Sequence, residues 1–262
     1  MLAEERRRSI LSLLERNGSV RTVDLARQFA VSDQTIRRDF WALEDQGLLS
    51  KAHGGALLLT YQGIPYQERA VLRQAEKLRV AQAAARLVKD GMSVALGPGT
   101  TTEAIAQHLR SRDILLVTNS LAVAAAMSRS SARVRLTGGQ IRPGSELVTG
   151  DWAEANLAEC FVDLSFVGVS GIDLGEGASV TEADEARVLR QFIRIAKRAV
   201  LVADGSKFGR VAKATVAPLG ALHLLITDPS APAETLERLR AQGLEVEVAG
   251  TDPPPRRSAK PR

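Results

Sequence analysis

From about residue 75 onward, short β-rich apolar runs alternate with helix-like stretches, and this alternation constrains the fold more than any other feature of the chain. The runs are Met92 to Leu96, Ile114 to Thr118, Val134 to Thr137, Leu164 to Val169, Ala199 to Ala203, Leu222 to Thr227 and Leu244 to Val248. Helical patterns lie between most of them, at Thr102 to Arg112, Leu121 to Ser130, Glu182 to Ala196 and Ala233 to Gln242. Strands joined through helices run parallel, and the helices cover both faces of the sheet. An α/β domain with a Rossmann-like parallel sheet is therefore expected over residues 76–250.

Ahead of that region the pattern changes. Ile10, Leu11, Leu13 and Leu14 mark one amphipathic stripe, Leu25, Ala26 and Phe29 a second, and Ile36, Phe40 and Leu43 a third. Gly18 follows the first stripe, Ala30-Val31-Ser32 separates the other two, and Gly47 stands where a left-handed residue closes a helix. Thr22 and Ser32 occupy N-cap positions. Two strand-like pieces then flank Gly54-Gly55, a pair able to take positive φ in a hairpin. Three helices and a hairpin make a compact winged unit over residues 1–57. Gly63 and Pro65 mark a linker at 58–75, and the Pro-rich basic stretch 251–262 reads as a disordered tail.

A length of 262 residues exceeds the roughly 100–200 of one domain, in keeping with two. With Cys160 alone and only His53, His108 and His223, the chain offers neither an internal disulfide nor a close-spaced zinc ligand set. No apolar run approaches the roughly 18 residues of a spanning helix, and the start carries Glu4, Glu5, Arg6, Arg7 and Arg8 rather than a leader's apolar core. A soluble, cytoplasmic protein without metal or membrane partner is expected. The net charge of +5 is carried by the ends: residues 1–75 hold 11 basic against 9 acidic side chains and residues 251–262 hold 4 against 1, while the middle balances at 20 against 20. That distribution permits nucleic-acid binding through the ends.

The third stripe carries the chemistry. On a helix, Gln34, Arg38 and Trp41 fall opposite Ile36, Phe40 and Leu43, with Thr35 and Arg37 at the margins. Gln pairs bidentately with adenine and Arg with guanine, while Ser32 and Thr35 can bond phosphate. The preceding helix, from Thr22, would brace the DNA backbone, and Lys51 and His53 of the hairpin would reach phosphate.

In the second region, Gly97-Pro98-Gly99-Thr100-Thr101-Thr102 follows the first apolar run and opens a helix, so that amides and helix dipole together attract phosphate. It lacks the Lys-Ser/Thr of a P-loop and the dinucleotide spacing, so neither ATP nor NAD is expected as a cofactor. Asn119-Ser120, Gly138-Gly139, the stretch Gly168 to Gly171, and Asp204 to Lys207 stand at the ends of later runs, the edge where open parallel sheets bind ligands. Lys207 offers a cation for phosphate; Asp204, Glu182, Asp184 and Glu185 offer acceptors for sugar hydroxyls.

The run from Leu25 to Asp39, followed by Leu43, Gly47, Leu48 and His53-Gly54-Gly55-Ala56, resembles the DeoR family of bacterial sugar-metabolism regulators. The resemblance extends through Gly99-Thr100-Thr101, Thr118-Asn119-Ser120, Gly138-Gly139, Gly168 to Asp173, Glu185-Ala186-Arg187, Asp204 to Gly209 and Thr227-Asp228, and is most like the glycerol-3-phosphate repressor branch. It departs at Gly97, where the family commonly has an acidic residue. It implies a winged helix-turn-helix whose helix from Asp33 to Gln46 enters the major groove, and a sensor domain similar to ribose-5-phosphate isomerase. The implied protein is a repressor of a carbohydrate or polyol operon, bound to duplex operator DNA as a homo-oligomer, dimer or tetramer. A phosphorylated sugar or polyol would release it, without cofactor or catalytic residues. The effector residues would be Gly99, Thr100, Thr101, Thr102, Asn119, Ser120, Gly138, Gly139, Gly171, Asp184, Glu185, Asp204 and Lys207. The alternative is an isomerase-like enzyme with a DNA-binding appendage, using Asp184 or Glu185 as base and Lys207 for phosphate.

Overall fold

The computed structural model of the protein describes residues 2–17, 19–45, 49–52, 54–58, 66–142 and 145–250, and divides the chain into two units, Met1–Ile64 and Pro65–Arg262. His53, Gly47 and the tail 251–262 lie outside the described residues, as does part of the expected linker.

In the first unit, helices α1 (Ala3–Asn17), α2 (Thr22–Phe29) and α3 (Asp33–Asp45) surround a core of Ile10, Leu14, Leu25, Ala26, Ile36, Phe40 and Leu43. These are the apolar positions of the three stripes, and each large side chain contributes about 1.5–3 kcal/mol when fully buried. Strands β1 (Ser19–Arg21), β2 (Leu49–Ala52) and β3 (Gly55–Leu58) form an antiparallel sheet in the order β1-β3-β2, so the expected hairpin gains a third strand. Leu49 and Ala56 join the core from the sheet. Asp39, buried on α3, accepts from Arg6 Nε at 2.5 Å and Arg7 Nε at 3.0 Å, which sets the direction of α3 across α1.

The α2–α3 turn is closed by backbone and hydroxyl bonds. Ala30 adopts a left-handed conformation (φ 51°) and Val31 N–H donates to Ala26 O at 3.0 Å. Ser32 Oγ accepts from Thr35 N–H at 3.2 Å, a cap on α3. Thr22 is not a cap. It is the first residue of α2 and is buried, its amide donating to Gly54 O at 2.9 Å.

The second unit opens with α4 (Tyr66–Val71) and α5 (Gln74–Ala85). Within the described part of the linker expected over 58–75, the chain is helical from Tyr66 apart from a turn at Leu72 and Arg73, the latter left-handed at φ 52°. There follow β4 (Ser93–Leu96), α6 (Thr100–His108), β5 (Leu115–Thr118), α7 (Leu121–Met127), β6 (Arg133–Leu136), β7 (Gln140–Ile141), β8 (Val148–Thr149) and α8 (Asp151–Ala158). Then come β9 (Val162–Val167), β10 (Gly171–Asp173), β11 (Gly177–Val180), α9 (Ala183–Arg194), β12 (Ala196–Val202), β13 (Ala214–Ala217), β14 (Leu224–Thr227), α10 (Ala233–Ala241) and β15 (Glu245–Val248).

The main sheet is parallel, in the order β15-β14-β12-β9-β4-β5-β6. Its residues alternate between two cores. Val94, Leu96, Phe166, Val200 and Val202 pack with Val80 of α5, Ile105 of α6 and Val123 of α7; Ala95, Val167, Ala199 and Leu201 pack with Leu157 of α8, Phe192 of α9 and Leu239 of α10. Burial on both faces explains why the inner strands read as continuous apolar runs, whereas the edge strands β6 and β15 alternate with charged residues. The order reverses between β4 and β9, which places the crevice of the sheet at their C-terminal ends. An antiparallel sheet β10-β11-β13 and the ribbon β7-β8 are additions that the sequence pattern did not signal.

Candidate functional site

On α3 the residues expected to meet DNA separate into two groups. Gln34, Arg37 and Arg38 are exposed along one face. Exposed Ser32 and half-buried Thr35 are turned to each other, their hydroxyls 2.9 Å apart, and hold the helix start. Buried Thr22 is withdrawn from any such surface. Lys51 of β2 lies against α3: its Nζ pairs with Glu44 Oε2 at 2.6 Å and stands 4.0 Å from the centre of the Trp41 ring.

In the second unit, the loops after β4, β9, β12 and β14 converge at the switch point. Gly97 N–H donates to Phe166 O at 3.0 Å, and Gly99, at φ 140°, precedes the first turn of α6, where Thr102 Oγ1 donates back to Gly99 O at 2.9 Å. Gly97 cannot carry the acidic side chain common in the family without repacking, since a Cβ there would meet Leu189 Cδ2 at 3.1 Å. Asp204, after β12, is buried; its carboxylate accepts from Ser206 N–H at 2.9 Å and pairs with Arg73 Nε at 3.2 Å. Asp228, after β14, accepts from the amides of Gly205 at 2.7 Å and Ser230 at 2.9 Å, joining the two loops.

Around this carboxylate gather the expected Lys207 and further cations that the spacing of the sequence did not reveal. Lys77 of α5 and Lys207 are 3% and 4% exposed. Burial drives both lysines below their ordinary range, Lys77 to about 8, with Asp204 opposing the shift and the neighbouring Arg69 adding to it. Burial pushes the Asp204 carboxyl up, yet Lys207, the bonds from Ser206 and Arg73 outweigh it and leave it low. The Lys77 ammonium donates to Arg69 O, and Arg73 also donates to Ser230 Oγ. Tyr66 donates to Glu103 Oε2 at 2.7 Å; burial, then that bond, carries its phenol far above the usual range. Arg69, Arg73 and Lys77 were legible as basic residues, but they sit on the stretch read as linker and on the helix after it.

The remaining expected effector residues play supporting parts. Asn119 donates to Val148 O at 2.9 Å and Ser120 Oγ accepts from Val123 N–H as the cap of α7. Gly138 and Gly139 form the turn from β6 to β7. Gly171 lies where a Cβ would meet Arg210 O at 2.4 Å, a close backbone approach that requires glycine. Glu185 is paired with Arg142 Nη2 at 3.2 Å, its carboxyl raised by burial against that attraction. Asp184 is exposed and paired with Arg187 at 2.7 Å, apart from the buried cations. Among the described residues no cluster of His, Cys, Asp and Glu is arranged to hold a metal, and no helix is long and apolar enough to cross a membrane.

Residues 6–62 match the DeoR-like helix-turn-helix domain, and residues 72–229 match the DeoR C terminal sensor domain. The chain belongs to the DeoR family. It is 37% identical over 252 residues to a putative aga operon transcriptional repressor of Escherichia coli O157:H7, covering 94% of each chain. To the glycerol-3-phosphate regulon repressor of Escherichia coli K12 it is 31% identical, over 95% of this chain and all of the relative; to the transcriptional repressor GlcR of Bacillus subtilis it is 32% identical, over 96% and 98%. A structure of ribose-5-phosphate isomerase A from Methanocaldococcus jannaschii aligns with 52% of this chain and 55% of its own, at 20% identity and a TM-score of 0.38. This DeoR-family chain is a DNA-binding transcriptional repressor with a C-terminal sensor domain, and not an enzyme. The isomerase alternative is thereby set aside.

Proposed function

We propose that the repressor binds duplex operator DNA through the exposed face of α3 as a homo-oligomer, dimer or tetramer, and leaves it when a phosphorylated sugar or polyol enters the strand-end crevice of the sensor unit. The observation that carries the effector half is the crowding of Lys77, Lys207 and Arg73 around Asp204, with Arg69 beside the two lysines. Charges so desolvated are held at a cost, and a phosphate dianion among them offsets it. The amides at the start of α6, beside Gly99 and Thr100 to Thr102, supply further donors. Asn119 Oδ1, Asp204 Oδ2 and Thr227 Oγ1 are buried with no hydrogen-bond partner among the described residues, and hydroxyls of a sugar or polyol would satisfy such acceptors.

Arg69, Arg73 and Lys77 follow directly on residues 59–65, the connection from the winged unit. A phosphate that draws Arg73 from Asp204 and Ser230 therefore acts on the stretch that carries the DNA-reading unit. Release requires only that the effector favour one arrangement over another, and coupling of about 1–3 kcal/mol corresponds to roughly 5–150-fold in operator affinity. Paired half-sites one helical turn apart call for an even oligomer.

The test is binding of the purified protein to a duplex from its own upstream region at fixed salt, titrated with glycerol-3-phosphate and then with a panel of sugar phosphates. Release by one of these compounds supports the reading. Specific binding that none alters contradicts the effector half, and absence of specific binding contradicts the operator half.

A further inference from the structure

Trp41 is 66% exposed although it stands in a helix whose other large apolar side chains, Ile36, Phe40 and Leu43, are at most 2% exposed. It lies three and four residues after Arg38 and Arg37, so the indole continues the same outward face one turn further, about 4.5 Å along the helix from Arg38. A large aromatic surface left in water at that place is burial held in reserve for a partner. Its neighbours define the partner's chemistry. Lys51 reaches across from β2 with its ammonium 4.0 Å from the ring centre, and Glu44, on the next turn of α3, holds that lysine twice, through Nζ at 2.6 Å and through the Lys51 amide at 3.0 Å. The indole is thus fixed in place between the helix face and the wing, with one cation behind it and two arginines before it.

A helix that reads base edges with its first two turns leaves the groove floor as it proceeds, and the wall it then meets is deoxyribose and phosphate. We propose that Trp41 is a backbone anchor: its indole packs on the deoxyribose wall of the major groove, and Lys51, held against the ring, presents its ammonium to the adjoining phosphate. This rests on the outward face of α3 being the DNA surface. The anchor is indifferent to base sequence, so its contribution is the same for operator and unrelated duplex, whereas that of Gln34, Arg37 and Arg38 is not.

The experiment uses the full chain with Trp152→Phe, a substitution at an exposed position of α8, so that Trp41 is the remaining indole. Titration with operator duplex is expected to change the Trp41 emission saturably, in step with binding. Trp41→Ala in the otherwise unchanged chain is expected to weaken operator and unrelated duplex alike, by about tenfold, with an unchanged unfolding midpoint; Lys51→Met is expected to lower the slope of log affinity against log salt by about one. Emission that ignores bound DNA overturns the proposal, as does unaltered affinity of Trp41→Ala. A loss confined to the operator, reproduced by replacing its thymines with uracil, also overturns it by assigning the indole to a base methyl. If the unmodified chain binds no operator, the reading of α3 fails instead.

Discussion

The two units hold their functional cations in opposite ways. Arg37 and Arg38 stand exposed on a helix face, where an extended polyanion can meet them and release its counterions, so the energy comes from many weakly desolvated contacts. Lys77 and Lys207 are nearly inaccessible around one carboxylate, a setting in which a few strongly desolvated contacts would recognise a small anion. The first arrangement suits a long ligand of uniform charge and the second a compact one. Joined in one chain as proposed, they would let a small ligand oppose a large one.

The largest expected effect breaks the comparison on the DNA side while sparing the sensor. Asp39→Ala removes the buried carboxylate that binds two arginines, and leaving Arg6 without it costs about 3–5 kcal/mol. Denaturant unfolding is expected to show an early transition for the winged unit with the second transition unmoved, and operator binding lost with the first. Arg38→Ala is expected to cost about 1–3 kcal/mol of operator binding and to relax preference at one base position, measured by competition among single-base operator variants. Unchanged affinity and preference would remove Arg38 from the reading set.

On the sensor side the contrast sharpens with pH. Lys77 is displaced downward, from an ordinary 10.5 to about 8, so as pH rises from 7 to 9 it loses the charge that a phosphate needs. Effector affinity is expected to fall by up to about tenfold per pH unit above 8. Stability runs the other way: between 8 and 10.5 the unfolded chain keeps a proton that the folded chain has released, so the sensor transition gains stability with rising pH in that window. Calorimetric titration and denaturation across pH 7–10 check both signs. The smallest effect is expected from Ser32→Ala, which removes the cap of α3 at a cost of about 1 kcal/mol in the winged unit's unfolding.

The same contrast governed what could be read in advance. The exposed face of α3 follows from helical spacing alone, because neighbours on a helix are close in sequence. The seven apolar runs likewise correspond to the main sheet: the five inner strands are covered on both faces and have no polar side to interrupt them, while the edge strands β6 and β15 keep charged residues between their apolar ones. Strands β7, β8 and β10 are two or three residues long, too short to show a period, and β1 pairs through backbone bonds that any residues can make. Of the sensor cations Lys207 was legible at a strand end, whereas Arg69, Arg73 and Lys77 escaped for a different reason. Arg73 meets Asp204 and Ser230 across half the chain or more, and no local pattern marks an approach of that kind. Asp184 shows the converse error, being adjacent in sequence to Glu185 yet turned to a surface partner.

If buried cations of the sensor unit take the effector's phosphate and this frees the DNA, Lys207→Met alters the operator-release titration. The exchange keeps length and apolar bulk at a desolvated position and removes only the charge. Operator affinity without effector is expected to stay as it was, while the concentration of the releasing sugar or polyol phosphate needed for half-release rises about 10–100-fold, the loss of one charged hydrogen bond. Release at the original concentration, with the sensor transition intact, would contradict that role of the buried cations.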